Sequence, residues 1–353
     1  MKTLESRAEE ALRTLLEQVP TIELLQVKHH SVESGVRADL TLHVEASGMS
    51  HILLCEVKAN GQPRHVRSTL LQLQHDVAQQ TQRASPVFIA PYLSADAQAM
   101  CREHSVNYLD FEGNARLLFD SVFIERQVAT KPVVERRELR SLFKPKSAQV
   151  LRVMLRDPGR TWRVTDLAEA AGVSLGHVSN VRTGLLDREW AKVSEEGVFL
   201  SQPGALLDAW HVAYETPLGQ KLNFYTTLHG SSFEEAAKGA LDSKGQSGLA
   251  AFASFSAAHW LAPYARTGMQ YFYADEAGLE RLRAALKLSS SIKGENVSIT
   301  VLKDDGLFRD MVNPAPGIVC TSPVQTYLDL AASGERGSEA ADYLREKELA
   351  WSR

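Results

Sequence analysis

From Asp39 to Glu45 (DLTLHVE) apolar residues fall at every second position, Ser47-Gly48 supplies turn chemistry, and Ile52 to Lys58 (ILLCEVK) is almost continuously apolar. A period of two predicts a half-buried strand, and the apolar run after the turn predicts a central one. Side chains of a strand alternate between faces, so Glu56 and Lys58 project to one side and Cys55 and Val57 to the other. If the two strands pair antiparallel, Asp39 comes level with Glu56. Before them, Leu4 to Gln18 carries leucine and alanine at helical spacing with Glu9, Glu10 and Glu17 outward, Pro20 ends the helix, and Thr21 to Lys28 reads as the first strand. After them, Val66, Leu70, Leu73 and Val77 mark the inward stripe of a helix over 64–83, and Pro86 to Pro91 is a short buried strand. Ser94 caps a helix to about His104, and Tyr108 to Asn114 reads as a hairpin with Asp110 and Glu112 on one face.

Pro145 marks the start of a second group of elements, with a helix from Ser147 to Arg156. Thr165 is the expected cap of a short helix to Ala171. Gly172-Val173-Ser174 makes a tight turn, and a second helix from Ser174 to about Asp187 turns Val178, Val181 and Leu185 inward. This is a helix-turn-helix. Ala191–Ser194 and Val198–Leu200, joined by Glu195-Glu196-Gly197, predict a two-stranded wing. His177, Asn180 and Thr183 lie on the exposed side of the second helix, where small or polar residues reach base edges; Arg160, Arg163, Arg182 and Arg188 are candidates for phosphates. Further on, Gly248 to Leu261 reads as one apolar, aromatic-studded helix, Met269–Ala274 and Val297–Leu302 as strands, and Leu279–Leu286 as a helix.

Composition bounds these readings. In 353 residues, 44% hydrophobic and 23% charged, no apolar run approaches the roughly 20 residues that span a membrane. Met1 to Glu5 does not start a signal peptide, and Cys55, Cys101 and Cys320, three and far apart, suggest neither a disulfide framework nor a zinc site, so the expected compartment is the cytoplasm. The net charge of −4 hides an uneven distribution: residues 136–205 hold twelve Lys and Arg against eight Asp and Glu, whereas both flanks are acidic. A basic segment between acidic ones is the pattern expected where nucleic acid is gripped.

Ala38-Asp39, sixteen intervening residues and then Glu56-Val57-Lys58 resemble the signature of the PD-(D/E)xK nuclease superfamily, and the helix-strand-strand-strand order around them resembles that superfamily's core. Ala38 stands where the signature has proline. The resemblance implies a restriction-endonuclease-like α/β domain over 1–135, with Asp39 and Glu56 as Mg²⁺ ligands and Lys58 orienting the attacking water. In several branches a glutamate on the first helix joins the metal, which makes Glu9 or Glu10 a candidate. Residues 136–205 resemble a winged helix-turn-helix DNA-binding domain, although the tip of the wing is acidic.

The stretch from Ile318 to Leu330 (IVCTSPVQTYLDL), with Gly334, Gly337 and Glu339-Ala340-Ala341 after it, looks like the C-terminal part of the AbiEi family, antitoxins of type IV toxin-antitoxin systems. It implies a C-terminal α+β domain over 206–353, a DNA-binding repressor and a nucleotidyltransferase-like toxin as partner. The departure is one of order, since family members commonly begin with the winged helix. Two functions are therefore expected: a DNA-binding, antitoxin-like transcriptional regulator that carries a nuclease-like domain, or a Mg²⁺-dependent DNA endonuclease targeted by its winged helix. Both take double-stranded DNA as partner, and neither needs a membrane.

Overall fold

The computed structural model describes residues 3–33, 36–128, 132–242, 248–264, 268–290 and 294–351. They form two compact units, the first made of residues 1–137 with 186–189 and the second of 138–185 with 190–353.

The first unit is built on a seven-stranded sheet whose spatial order is its chain order. Helix α1 (Leu4–Leu16) leads into β1 (Ile22–Glu33), β2 (Val36–Ala46) and β3 (Met49–Val57). Then come α2 (Pro63–Ala78), β4 (Ala84–Ala90), α3 (Ala95–Glu103), β5 (Asn107–Asp110), β6 (Ala115–Phe119) and β7 (Val122–Arg126). β1, β2 and β3 run antiparallel, β3, β4 and β5 parallel through the helical crossovers α2 and α3, and β5, β6 and β7 antiparallel again. Ser47 and Gly48, at φ of +52° and +79°, make the tight β2–β3 turn. Apolar residues of alternating strand positions fill two layers. Leu40, Leu42, Leu53, Cys55, Val87 and Ile89 meet Leu12 and Leu16 of α1, and Phe88, Ala90 and Tyr108 meet Val66 and Leu70 of α2 and Ala97 and Cys101 of α3. β3 is thus covered on both faces, which is why it reads as a nearly unbroken apolar run. Ser94 caps α3 as expected, accepting from the Ala97 N–H.

Helix α4 (Val133–Leu142) crosses from one unit to the other. The second unit continues with α5 (Pro145–Arg156), α6 (Val164–Ala171), α7 (Leu175–Asp187) and the antiparallel pair β8 (Ala191–Ser194) and β9 (Gly197–Leu200). Trp162 bridges to Val198 as a short third strand. Gly172 sits at φ +63° where α6 ends, the left-handed geometry that lets the chain turn into α7. α6 begins at Val164 with Arg163 as its cap residue, and the Thr165 hydroxyl donates to the Asp166 carboxylate instead of capping.

After α8 (Pro203–Val212) come β10 (Gly219–Phe224), α9 (Gly230–Leu241), β11 (Ala250–Phe252), α10 (Ser254–Leu261), β12 (Gln270–Ala274), α11 (Glu276–Ala285) and β13 (Val297–Leu302). A 3₁₀ turn (Asp305–Asp310), β14 (Met311–Ala315), β15 (Ile318–Thr321), α12 (Pro323–Ala331) and α13 (Gly334–Glu348) complete the unit. Its mixed six-stranded sheet has the order β10-β13-β12-β11-β15-β14. The run 248–261, expected as one helix, is a strand followed by a helix. Ala250, Ala251 and Phe252 are buried between β12 and β15, and Ser254 at φ +48° breaks the run. A short apolar stretch covered on both faces carries no periodicity to tell strand from helix. Among the described residues no helix is long and apolar enough to cross a membrane.

Candidate functional site

In the first unit the ladder between β2 and β3 runs from Ala46–Met49 to Leu40–Cys55 and stops there. One residue further, the Asp39 carboxylate takes over, accepting the Val57 N–H at 2.9 Å. β3 meanwhile stays bound to β4, through the Lys58 N–H to the Ile89 carbonyl. The sheet therefore opens between β2 and β3 where Asp39, Glu56 and Lys58 sit. Ile52 and Leu54 pack with Ala38 and Val77, and Glu56 follows them on the same face. Its carboxylate forms an ion pair with the Lys58 ammonium, both side chains half-buried. Ala38, in the place of the signature's proline, is buried in that apolar layer and offers no ligand. Cys55 faces the opposite layer, and burial, reinforced by the charge of Asp39, pushes its thiol far above the ordinary range, leaving it inert.

Gly61 shapes the end of β3. A Cβ there would come 2.1 Å from the Tyr92 carbonyl oxygen, so the loop after Lys58 closes against the end of β4 only without a side chain.

Among the described residues no group of three or more His, Cys, Asp or Glu converges as a metal cage. Two carboxylates on neighbouring strands nevertheless fit Mg²⁺, which keeps several waters and takes one or two carboxylates from protein. The helix glutamates are engaged elsewhere. Glu9 bonds His29 at 2.7 Å and Arg13 at 2.9 Å, and these two partners hold its carboxyl below the usual range. Glu10 lines a cavity with Arg7, Asp110 and Arg126. Asp110, expected on an open strand face beside Glu112, is instead a turn anchor that accepts from the backbone N–H groups of Leu93, Glu112 and Asn114. At the opposite end of β3, His51 lies 2.9 Å from both Asp120 Oδ2 and Ser85 Oγ, tying the β6–β7 turn to β3 and β4; burial lowers its pKa against the pull of Asp120.

In the second unit α7 turns Val178, Val181 and Leu185 into the core and leaves His177, Asn180 and Thr183 exposed. His177 Nδ1 lies 2.9 Å from Ser174 Oγ, so one ring nitrogen is engaged in the first turn of the helix. Arg163 is exposed at the start of α6, Arg182 is partly exposed, and the Arg160 guanidinium lies over the Trp162 ring at 3.8 Å. Arg188 is not a phosphate ligand. It is 8% exposed and donates to Glu135 at 2.9 Å, and Glu135 also accepts from Gln62. Other cations of the segment are paired as well: buried Arg152 and exposed Arg156 share Asp310, and at the surface Lys146 pairs with Asp304 at 3.2 Å and Arg140 with Glu215 at 3.6 Å. The spacing of charges along the chain could not reveal carboxylates that are distant in sequence.

A buried polar group went unread in the sequence. Asp329 accepts from the hydroxyls of Tyr214 at 2.5 Å and Tyr273 at 2.9 Å and from the Gln325 amide at 3.0 Å, and Gln325 in turn accepts from Arg152 at 3.2 Å. Burial pushes the Asp329 pKa up to about 6 against the opposing pull of those donors. Its one sequence signal is Gln325 and Asp329 four apart on the otherwise apolar α12.

The fold is mixed α/β, with several sheets in two units. Residues 200–350 match the family model described as transcriptional regulator, AbiEi antitoxin, type IV TA system, so the likeness seen in 318–341 extends over most of the second unit. No curated protein matches the chain. Among solved structures it is similar to a repair endonuclease from Pyrococcus abyssi, at 13% identity over 29% of this chain and 46% of that one, with a TM-score of 0.22. It is similar also to EndoMS in apo form, at 14% identity over 29% and 45%, with a TM-score of 0.22. The chain spans less than half the length of either.

Proposed function

We propose that the protein is a DNA-binding transcriptional regulator of the antitoxin type, with residues 136–205 acting as a winged helix-turn-helix and the second unit as a whole opposing a nucleotidyltransferase-like toxin. The observation that carries the DNA reading is the pair α6–α7, which leaves Asn180, Thr183 and His177 exposed on one helix with Arg163 and Arg182 beside them. Polar side chains on the second helix of such a pair read base edges in the major groove, while flanking guanidiniums fix register on phosphates. The family match over 200–350 supports the antitoxin part. The acidic wing tip, Glu195-Glu196, would be repelled by phosphates, which favours α7 as the main contact. Footprinting on the DNA upstream of its own gene tests the reading: protection of a discrete site in that region supports regulation, and uniform binding to any sequence contradicts it.

A second reading, a Mg²⁺-dependent DNA endonuclease of the PD-(D/E)xK type, is favoured by one observation, the meeting of Asp39, Glu56 and Lys58 at the opening between β2 and β3. Asp39 and Glu56 would hold the cation, which supplies Lewis acidity toward a phosphate oxygen. The Lys58 ammonium, able to leave Glu56, would orient a water toward phosphorus and offset charge there. Nicking of supercoiled plasmid with Mg²⁺ that is lost in Lys58→Ala supports this reading, and absence of nicking contradicts it.

A further inference from the structure

A cavity of about 230 Å³ lies wholly within the second unit, between α5, the end of α8 and the end of β13. Its wall is apolar and flat: the rings of Phe143 and Trp210 stack with centroids 5.5 Å apart and planes 5° from parallel, and Pro145, Pro217, Leu218 and Leu302 complete the lining. Its floor is polar and buried, formed by Arg152, Tyr214 and Gln325. Arg152 is 5% exposed, its Nη1 bond to Gln325 is long at 3.2 Å, and its buried Nε has no hydrogen-bond partner, with Asp310 Oδ2 4.0 Å away. Among the described residues Arg152 Nε and Asp310 Oδ2 are both without a hydrogen bond and face each other as a loose ion pair, while the Arg152 side chain lines the cavity and Asp310 does not. The lining carries four cations, Arg140, Lys144, Arg152 and Lys303, against two carboxylates, Glu215 and Asp304.

We propose that this cavity is a binding site for a small aromatic carboxylate, its ring against Phe143, Trp210 and Leu218 and its carboxylate on the Arg152 guanidinium. Size limits the ligand to one or two rings, the flat apolar wall selects a planar body, and the cationic floor selects an anionic end. Gln325 accepts from Arg152 and donates to Tyr214 and to Asp329, which stands behind the floor and not among the lining residues. The site is independent of the α7 surface and of Asp39, Glu56 and Lys58, so it stands or falls apart from either reading above.

The probe is benzoate, with benzamide as its uncharged counterpart, titrated into the full-length protein by calorimetry and checked by saturation-transfer NMR. Benzoate is expected to bind in the submillimolar range and benzamide at least about tenfold more weakly, a factor that corresponds to roughly 1.4 kcal/mol. Arg152→Gln should bring benzoate down to the level of benzamide. Because Arg152 is buried and its loss can cost folding, Leu218→Glu provides the second arm: Leu218 is 71% exposed, so the change leaves the core intact while putting a negative charge at the mouth, and it should weaken benzoate by about tenfold or more. Equal affinity for benzoate and benzamide, undiminished benzoate binding in Leu218→Glu, or no binding at millimolar benzoate would each overturn the proposal.

Discussion

The Asp39 carboxylate accepts the N–H of Val57, the residue between Glu56 and Lys58, at 2.9 Å. This single bond does what the main-chain ladder no longer does beyond Leu40–Cys55. It holds the acid level with the Glu56–Lys58 pair while β2 and β3 part.

That bond separates two roles of Asp39. Asp39→Asn retains an acceptor for Val57 and should leave the metal-free melting temperature nearly unchanged, whereas Asp39→Ala strands the N–H and should cost about 1 kcal/mol. With Mg²⁺ at a hundredfold excess over Kd the native protein should gain about 2.7 kcal/mol, and both variants should lose most of that gain. Thermal shift with and without the metal reads both effects, and an equal metal shift in wild type and Asp39→Asn would exclude the carboxylate as a ligand.

Lys58 would bear on the proposed metal site through Glu56. Its ammonium is the cation now paired with that carboxylate, so Lys58→Ala removes a competitor and should tighten Mg²⁺ or Mn²⁺ binding. Calorimetric titration is the check, with weaker binding in the variant as the contrary result.

Gly61→Ala should destabilise the first unit by more than about 2 kcal/mol, because the added methyl would meet the Tyr92 carbonyl oxygen, a backbone atom that cannot step aside cheaply. Urea denaturation measures it, and a loss under half that size would mean that the loop yields.

Asp329 predicts a pH dependence with a definite sign. Its folded pKa, about 6, lies above the ordinary carboxyl value, so the folded state binds the extra proton. The contribution is fully present below about pH 4, is lost as pH rises to about 6, and amounts to on the order of 3 kcal/mol. Asp329→Asn should abolish this component, so the difference in stability between wild type and variant should change between pH 4 and 6 and stay flat above pH 7.

The hairpin was legible because alternation in β2 and the continuous apolar run of β3 have no other simple reading, and Glu56 and Lys58 two apart must share a face. The helix pair was legible from Val178, Val181 and Leu185 and from Gly172 in its turn. Long-range polar partners were not legible. The pairing of Arg188 with Glu135, and of Arg152 and Arg156 with Asp310, depends on chain crossings that local pattern does not encode. Nor was the strand at Ala250–Phe252, whose burial on both faces erases the period that would identify it.

Reading of bases and gripping of phosphates should separate by mutation. Asn180→Ala should cost about 1 to 3 kcal/mol on the preferred site and little on random DNA, relaxing specificity without changing the salt slope. Competition gel shifts with the two DNAs measure the difference, and an equal loss on both would place Asn180 on the backbone.

A DNA-binding face formed by α6 and α7 can be probed by fluorescence anisotropy of a labelled duplex from the upstream region at two salt concentrations. Wild type is compared with the Arg163→Ala/Arg182→Ala double variant. The double variant should bind all sequences more weakly, with a salt slope shallower by about two, one released counterion for each lost phosphate contact. Unchanged affinity and an unchanged slope in a folded double variant would contradict it.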